Sequence, residues 1–564
     1  MATIENTQEH VPVSWSVYKK IAFRIAFIFF ILVSIPFSGA WYTNLVSIDW
    51  TRPHYRDIYD IARYGTNIPS LFGNSARQGG GEDGEGAAAA GSKKAAKQKV
   101  AARGSRSGDQ PDPQAAELQQ LSRRRSWWSD YASWGNALVL AVIGGLIWTL
   151  LDRKRPSYNV LYYWLTVIVR FRAAIGIIGF GYTKLFPTQM PFPSLGLLNT
   201  DFGDFTAQKI YWLSVGIVPW YQVFGGVVEL LAGALLFFRK TATFGAILLI
   251  GALGDITFVN YAYDGGVHVY AFYFVLLGSF VIAADVPRLY NLLILERYTV
   301  PHFYYPDYSK PAYKYSRIVL KGLAILIFFG VLTYTEVINF KYDPYKQPAT
   351  AGLKTLRGNY NVTEFKINGQ EIPYSPLDSV RWKEATFEKW TTLTFRVNKP
   401  VVVDPSNGGG SPMRDIQRTF EIAGTAGGQR AFHYYADTVE QVLYLQDKNA
   451  VAARASRIPS EADPKIAGRT KKNDNWISDA AWKNIGDENK FIDPAAWSTR
   501  RDREFARPER GLNRAKMILK YHTTDGARVI LTGINESKDS IYVVLDKRNR
   551  KYVLPESTLN AGKY

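Results

Sequence analysis

Three ionisable residues sit inside stretches apolar enough for lipid: Arg172 in VRFRAAIGIIGFGYTKLF (169–186), Glu229 in WYQVFGGVVELLAGALLFF (220–238) and Asp255 in AILLIGALGDITFVN (246–260). A charge at the centre of a bilayer costs roughly 2.5–3.5 kcal/mol, so such side chains normally face the protein interior and find partners. At ~100° per residue, Arg172 shares one helix face with Gly176 and Gly179. Glu229 lies between the directions of Gly225, Gly226 and Gly233, and Asp255 lies close to that of Gly251, with Gly254 adjacent. Each charge thus shares the small-residue face of its helix, where backbones can approach closely. The pattern predicts one buried cluster of Arg172, Glu229 and Asp255. Two readings of it stand. The carboxylates, held ionised by the arginine, relay protons or hold a ligand; or the network only fixes which helices pack, with little net stability.

Secondary candidates surround this cluster. Arg170 points nearly opposite to Arg172, and Lys184 lies near the outer end of its helix, where snorkelling accounts for its charge. His268 opens a later helix on the same side as Asn260, and is either a proton-exchanging or quinone-binding group or an interfacial polar residue. His433 and His522 are isolated, and Asp404, Asp415, Asp437 and Asp447 are too scattered for a calcium loop. No metal site is expected.

Composition narrows the chemistry further. The 564 residues contain no cysteine, which removes thiol catalysis, disulfides, iron–sulfur ligation and cysteine-based zinc sites. A net charge of +19 raises nucleic acid as a partner, but many Lys and Arg residues flank apolar segments as topology signals, so no nucleic-acid binding is expected. The mean hydropathy of −0.13 averages an apolar half with a polar one.

Seven segments are apolar enough to be membrane helices: 20–38, 134–151, 159–181, 211–238, 242–261, 267–284 and 317–335. With the amino terminus in the cytoplasm, Lys19–Lys20, DRKRP (152–156), Arg239–Lys240 and the basic 288–321 connection all fall inside. SRRRSWW (122–128) is the exception. The chain then divides into an N-terminal segment with the first helix (1–38), an extracytoplasmic loop (39–133), a second helix and basic turn (134–157), a four-helix bundle (158–294), a connection with the seventh helix (295–336) and an outer domain (337–564). Residues 77–120, rich in Ala, Gly, Lys and Ser, read as a disordered tether.

The outer domain alternates in short β-branched and aromatic runs: TTLTFRV (391–397), FHYYAD (432–437), QVLYLQ (441–446), RVILTGI (528–534) and SIYVVLD (540–546). LDKRNRKYVL (545–554) reads as a tight hairpin, and GNYNVTEFKINGQEIPYS (358–375) is faintly lipocalin-like in fold. The prediction is an antiparallel barrel or sandwich, interrupted by a partly helical insertion at about 450–510. The fold class is therefore an α-helical membrane bundle of about seven helices plus a periplasmic β domain.

RFRAAIGIIGFGYTKLF, then FGGVVELLAGALLFFRKTATFGAILL and HVYAFYFVLLGSFVIAADVPRL, resembles the DoxX-like bacterial membrane proteins over about 158–294. The resemblance implies a four-helix core, with Arg172, Lys184, Gly226 and Glu229 matching its pattern, and an inner-membrane location. Named members are linked to quinone-coupled sulfur oxidation or redox-stress assemblies; the missing cysteines and long tail depart from the simplest members. The expected function is a non-catalytic accessory or assembly subunit that presents the outer β domain to an envelope or respiratory protein. The alternative is a quinone-binding oxidoreductase subunit using the Arg172, Glu229 and Asp255 cluster for proton relay. Quinone is the one cofactor this raises, and the bilayer the first partner.

Overall fold

Apolar runs become helices and alternating runs become strands in a computed structural model of the chain, described over residues 14–64, 130–299, 304, 306–455, 476–487, 491–506 and 512–564. The expected tether 77–120, the basic 122–128 and parts of the 450–510 insertion lie outside the described residues.

The helical half comprises α1 (Val17–Ser34), α2 (Gly39–Val46), α3 (Tyr55–Ala62), α4 (Ala132–Leu151), α5 (Asn159–Leu185), the single turn α6 (Leu195–Leu198), α7 (Ala207–Gly216), α8 (Pro219–Leu236), α9 (Ala242–Ala262), α10 (His268–Ile282), α11 (Val286–Leu293) and α12 (Pro311–Tyr342). Five of these, α4, α5, α8, α9 and α12, are long and apolar enough to cross a membrane. The count rises to seven if α1 with α2, bent by 52°, and α10 with α11, bent by 77°, are each one span. The span expected at 211–238 is two helices. Proline fits the first turn of a helix but not its interior, so Pro219 starts α8 after α7 has ended at Gly216.

α5 is the central post. It is 61% buried over its apolar window, against 17% for α12, and it packs on α8, α10, α1 and α3. Glycines set the closest approach. A Cβ on Gly226 of α8 would stand 2.4 Å from the Leu185 nitrogen and 2.7 Å from the Gly181 oxygen of α5, so only hydrogen fits there.

The second half closes into a barrel. β1 (Gly358–Ile367), β3 (Glu384–Phe387), β4 (Thr392–Arg396), β5 (Gln429–Asp437), β6 (Val442–Asp447), β7 (Lys516–His522), β8 (Arg528–Ile534) and β9 (Ser540–Lys547) pair antiparallel in that order, and β9 returns to pair with β1. The two-residue β2 (Gln370–Glu371) folds back on β1 through Asn368–Gly369, whose positive φ values of 51° and 80° suit a tight hairpin turn. Eight strands leave an interior that side chains fill, and here Tyr360, Phe365, Phe395, Phe432, Leu519 and Val543 are among those filling it. The expected hairpin at 545–554 does not form. Both edges of β9 are already taken by β1 and β8, so 551–554 has no strand to join. Residues 548–564 instead run back to the junction, where the Tyr564 ring meets Trp390 at 5.4 Å.

β7 and β8 alternate inward and outward, as a half-solvated sheet should, and β9 does so except at the buried Val544. β3 and β4 do not: Ala385–Phe387 and Thr392–Phe395 are buried on both faces. Their outer side is covered by the 398–428 loop and by α6 from the helical half. The insertion between β6 and β7 carries α13 (Ala450–Ala455), α14 (Asp479–Ile485) and α15 (Thr499–Phe505).

Candidate functional site

The three ionisable residues of the bundle do not share one site. Arg172 is buried, but its guanidinium donates to the Ala62 carbonyl (2.7 Å), the Tyr64 carbonyl (3.2 Å) and the Tyr270 hydroxyl (3.5 Å), and stacks over Tyr64 and Tyr273 at 4.0 and 5.2 Å. Glu229 is buried and takes Lys184 instead, 2.5 Å away. Asp255 is exposed, and among the described residues no ion pair joins it to either. The predicted Arg172, Glu229 and Asp255 cluster is therefore corrected to an arginine–tyrosine site, a lysine–glutamate pair and an exposed carboxylate, Asp255, which shares only the electrostatic reach of Tyr211 with Glu229. Helical angles say which face of a helix carries a charge, not what that face meets. The Arg172 face meets the α3 segment folding back from the first loop, and Gly225 leaves room for the Lys184 chain, 3.9 Å from its would-be Cβ.

The remaining candidates are spread out. Arg170 is buried beside the Phe171 ring at 5.6 Å. His268 lies 3.4 Å from Asp130, and the Asn260 amide donates to the Ile256 carbonyl. Gly176 and Gly179 face Phe274 and Tyr59, and Gly233 faces Ile177 and Ile178, whereas Gly251 and Gly254 face open space.

The densest polar constellation lies where the barrel meets the bundle, and no local pattern announced it. It is centred on Asp343, the residue after α12. Arg418, from the loop before β5, donates to Asp343 at 2.6 Å and also to the carbonyls of Pro344, Gln347 and Met413. Its side chain is 0% exposed, so this planar fork is fully occupied inside the protein. Arg501 of α15 and the Ser411 hydroxyl also contact Asp343. His54, the N-cap of α3, stands 3.9 Å from the same carboxylate. Burial, then Arg501, holds His54 well below its ordinary pKa, so this contact is not an ion pair.

Three further contacts bind the halves. Glu388, just after β3, accepts the backbone N–H groups of Leu195 (2.9 Å) and Gly196 (2.7 Å) at α6. Burial pushes the Glu388 carboxyl up to about 7. Lys209 of α7 reaches the Phe420 carbonyl at 2.5 Å, and burial lowers its ammonium to about 7. Arg500 of α15 grips Asp57 (3.3 Å) and Asp60 (2.6 Å) of α3. Beneath the same loop, Lys448 and Glu421 form a pair 0% exposed on both sides, 3.0 Å apart, with Trp390 and Thr392 donating to Glu421.

Such an arrangement can transmit force and orientation between two bodies: Asp343, Arg418 and Glu388 are each met by fixed partners, several of them backbone atoms. His433 belongs to the same wall, bonded to Thr391 at 3.2 Å and held down to about 4 by burial. It is joined electrostatically to Asp415, which receives the N–H groups of Ala349 and Thr350. Comparison with protein-family models, curated proteins and solved structures finds no match to this chain.

Proposed function

We propose that this protein is a non-catalytic accessory or assembly subunit of a bacterial inner membrane, which holds its β barrel on the periplasmic face for a partner protein. The observation that carries the reading is the buried Asp343, Arg418, Arg501 and Ser411 junction at the end of the last apolar helix. A tethered domain would need only a linker. Here the barrel meets the bundle through charge-assisted contacts that fix its orientation. The filled barrel interior fits a solid display surface rather than a carrier of cargo. The basic segments 152–156 and 239–240 lie at the helix ends away from the barrel, in keeping with a cytoplasmic side. The resemblance of 158–294 to DoxX-like proteins supports the same membrane.

The test is purification of the tagged full chain from mild detergent, beside a version ending before Asp343. The reading expects a stoichiometric protein that stays with the full chain and is lost from the shortened one, whose helices still insert. A partner retained without the barrel contradicts it. So does a stoichiometric quinone in the full-chain preparation, which would favour the oxidoreductase alternative.

A further inference from the structure

α9 has two faces of different kinds. Ala242, Ala246, Leu249, Leu253 and Asn260 recur at helical spacing and are buried where α9 packs on α8 and α10. The opposite face carries Phe244, Ile247, Gly251, Asp255 and Phe258, all exposed, with Phe258 71% exposed. Asp255 thus interrupts an exposed apolar stripe, within electrostatic reach of Tyr211 of α7 but with no ion-pair partner among the described residues. It lies seven residues from Ala262, or ~10 Å below that end of the helix. Aspartate is too short to reach water over such a distance, unlike lysine or arginine. Nothing stands within 4 Å of a Cβ built on Gly251 or Gly254, so the backbone beside the carboxylate is open to close approach.

We infer that this face docks a membrane-spanning helix of another protein, one carrying a lysine or arginine that meets Asp255. The inference rests on the membrane reading above and adds the chemistry of one partner. Charge selects the occupant, because an ionised carboxylate at that depth is stabilised by a counter-charge. A second copy does not supply one. A two-fold contact through this face would bring two Asp255 side chains together. A head-to-tail contact would need an exposed cation at similar depth. Among the described residues, the mid-helix cations Arg24, Arg170 and Arg172 are buried, and Lys184 is on Glu229. Lys321 lies against Phe238, at the end of the bundle away from the barrel.

The full chain tests this in its native membrane. A photo-crosslinking phenylalanine analogue is placed at Phe258, with the exposed Leu146 of α4 as control position. The expected result is a heavier adduct from position 258 and not from 146, whose crosslinked peptide is an apolar span holding a lysine or arginine. Asp255→Leu lowers its yield at least fivefold, and Asp255→Lys is rescued by aspartate at the partner's basic position. An adduct of twice the chain's mass, adducts to lipid alone, or a yield unchanged by Asp255→Leu would overturn the inference. Labelling of Phe258→Cys separates the two levels, since the chain has no other cysteine. Fast reaction with a water-soluble maleimide overturns the membrane reading itself. Slow reaction without the expected adduct overturns only the docking helix.

Discussion

Arg418 concentrates the account at a single side chain. It is fully buried, and its donors serve Asp343 and three carbonyls from two different segments. Breaking a buried charge pair from one side costs about 3–5 kcal/mol, because the stranded groups stay desolvated. Arg418→Met should therefore lower the stability of the detergent-purified protein by that order, and Arg418→Lys should recover little, since a point charge cannot replace the fork. Denaturant or thermal unfolding followed by tryptophan fluorescence checks both. The Lys448 and Glu421 pair allows a cleaner comparison. Lys448→Met alone should be costly, while Lys448→Met with Glu421→Leu should regain most of the loss, as a double-mutant cycle would reveal. None of these partners was legible beforehand. Asp343 and Arg418 are 75 positions apart, and nothing local distinguishes a buried arginine from a solvated one in a polar tail. Arg172 and Glu229 were legible as buried charges from the small-residue faces that carry them, but their partners were not, and the same reasoning failed for Asp255, which is exposed.

Glycines decide packing among the elements. At Gly226 an added methyl would meet the α5 backbone, which cannot yield as a side chain would. Gly226→Ala should push α8 from α5 and cost about 1–3 kcal/mol. Gly251→Ala and Gly254→Ala, where nothing crowds a Cβ, should leave the melting temperature of the isolated protein unchanged or slightly raised through helix propensity, and not lowered. Gly196 makes the same point at the junction: its Cβ would stand 2.6 Å from Thr394 Oγ1 and 2.9 Å from Glu388 Oε1, so Gly196→Val should loosen the barrel from α6. Faster proteolysis between the halves would register it. The long helices were legible from apolar length, and β4, β5, β6, β8 and β9 from alternation, because both signals repeat over several residues. β3 was not seen because its four residues, EATF, are too few for a period to register. The false hairpin at 545–554 arose because turn chemistry is local while the supply of free strand edges is global.

The pH response belongs to the whole molecule, since several buried groups contribute with opposite signs. His54 and His433 are neutral when folded and protonate more readily when unfolded. Their contribution is intact above about 6.5 and lost as the pH falls, for His433 toward about 4. Glu388, raised to about 7, works the other way: its carboxyl favours the folded state when protonated, and that contribution is lost as the pH rises from about 4.5 to 7. Unfolding free energies measured from pH 4 to 7 should show His433→Gln flattening the acid limb, by up to about 3 kcal/mol at its foot, and Glu388→Gln steepening the net slope. A His433→Gln profile parallel to the unaltered protein would contradict this assignment.

The central claim is that barrel and bundle move as one body, and the absence of cysteine permits a direct test. Ala262→Cys at the end of α9 and Lys520→Cys on the outer face of β7 place two spin labels on exposed positions of the two halves. Pulsed electron–electron resonance in lipid nanodiscs should then give a single narrow distance distribution that broadens when Arg418→Met is added. A broad or multimodal distribution in the chain with Arg418 intact would contradict the account.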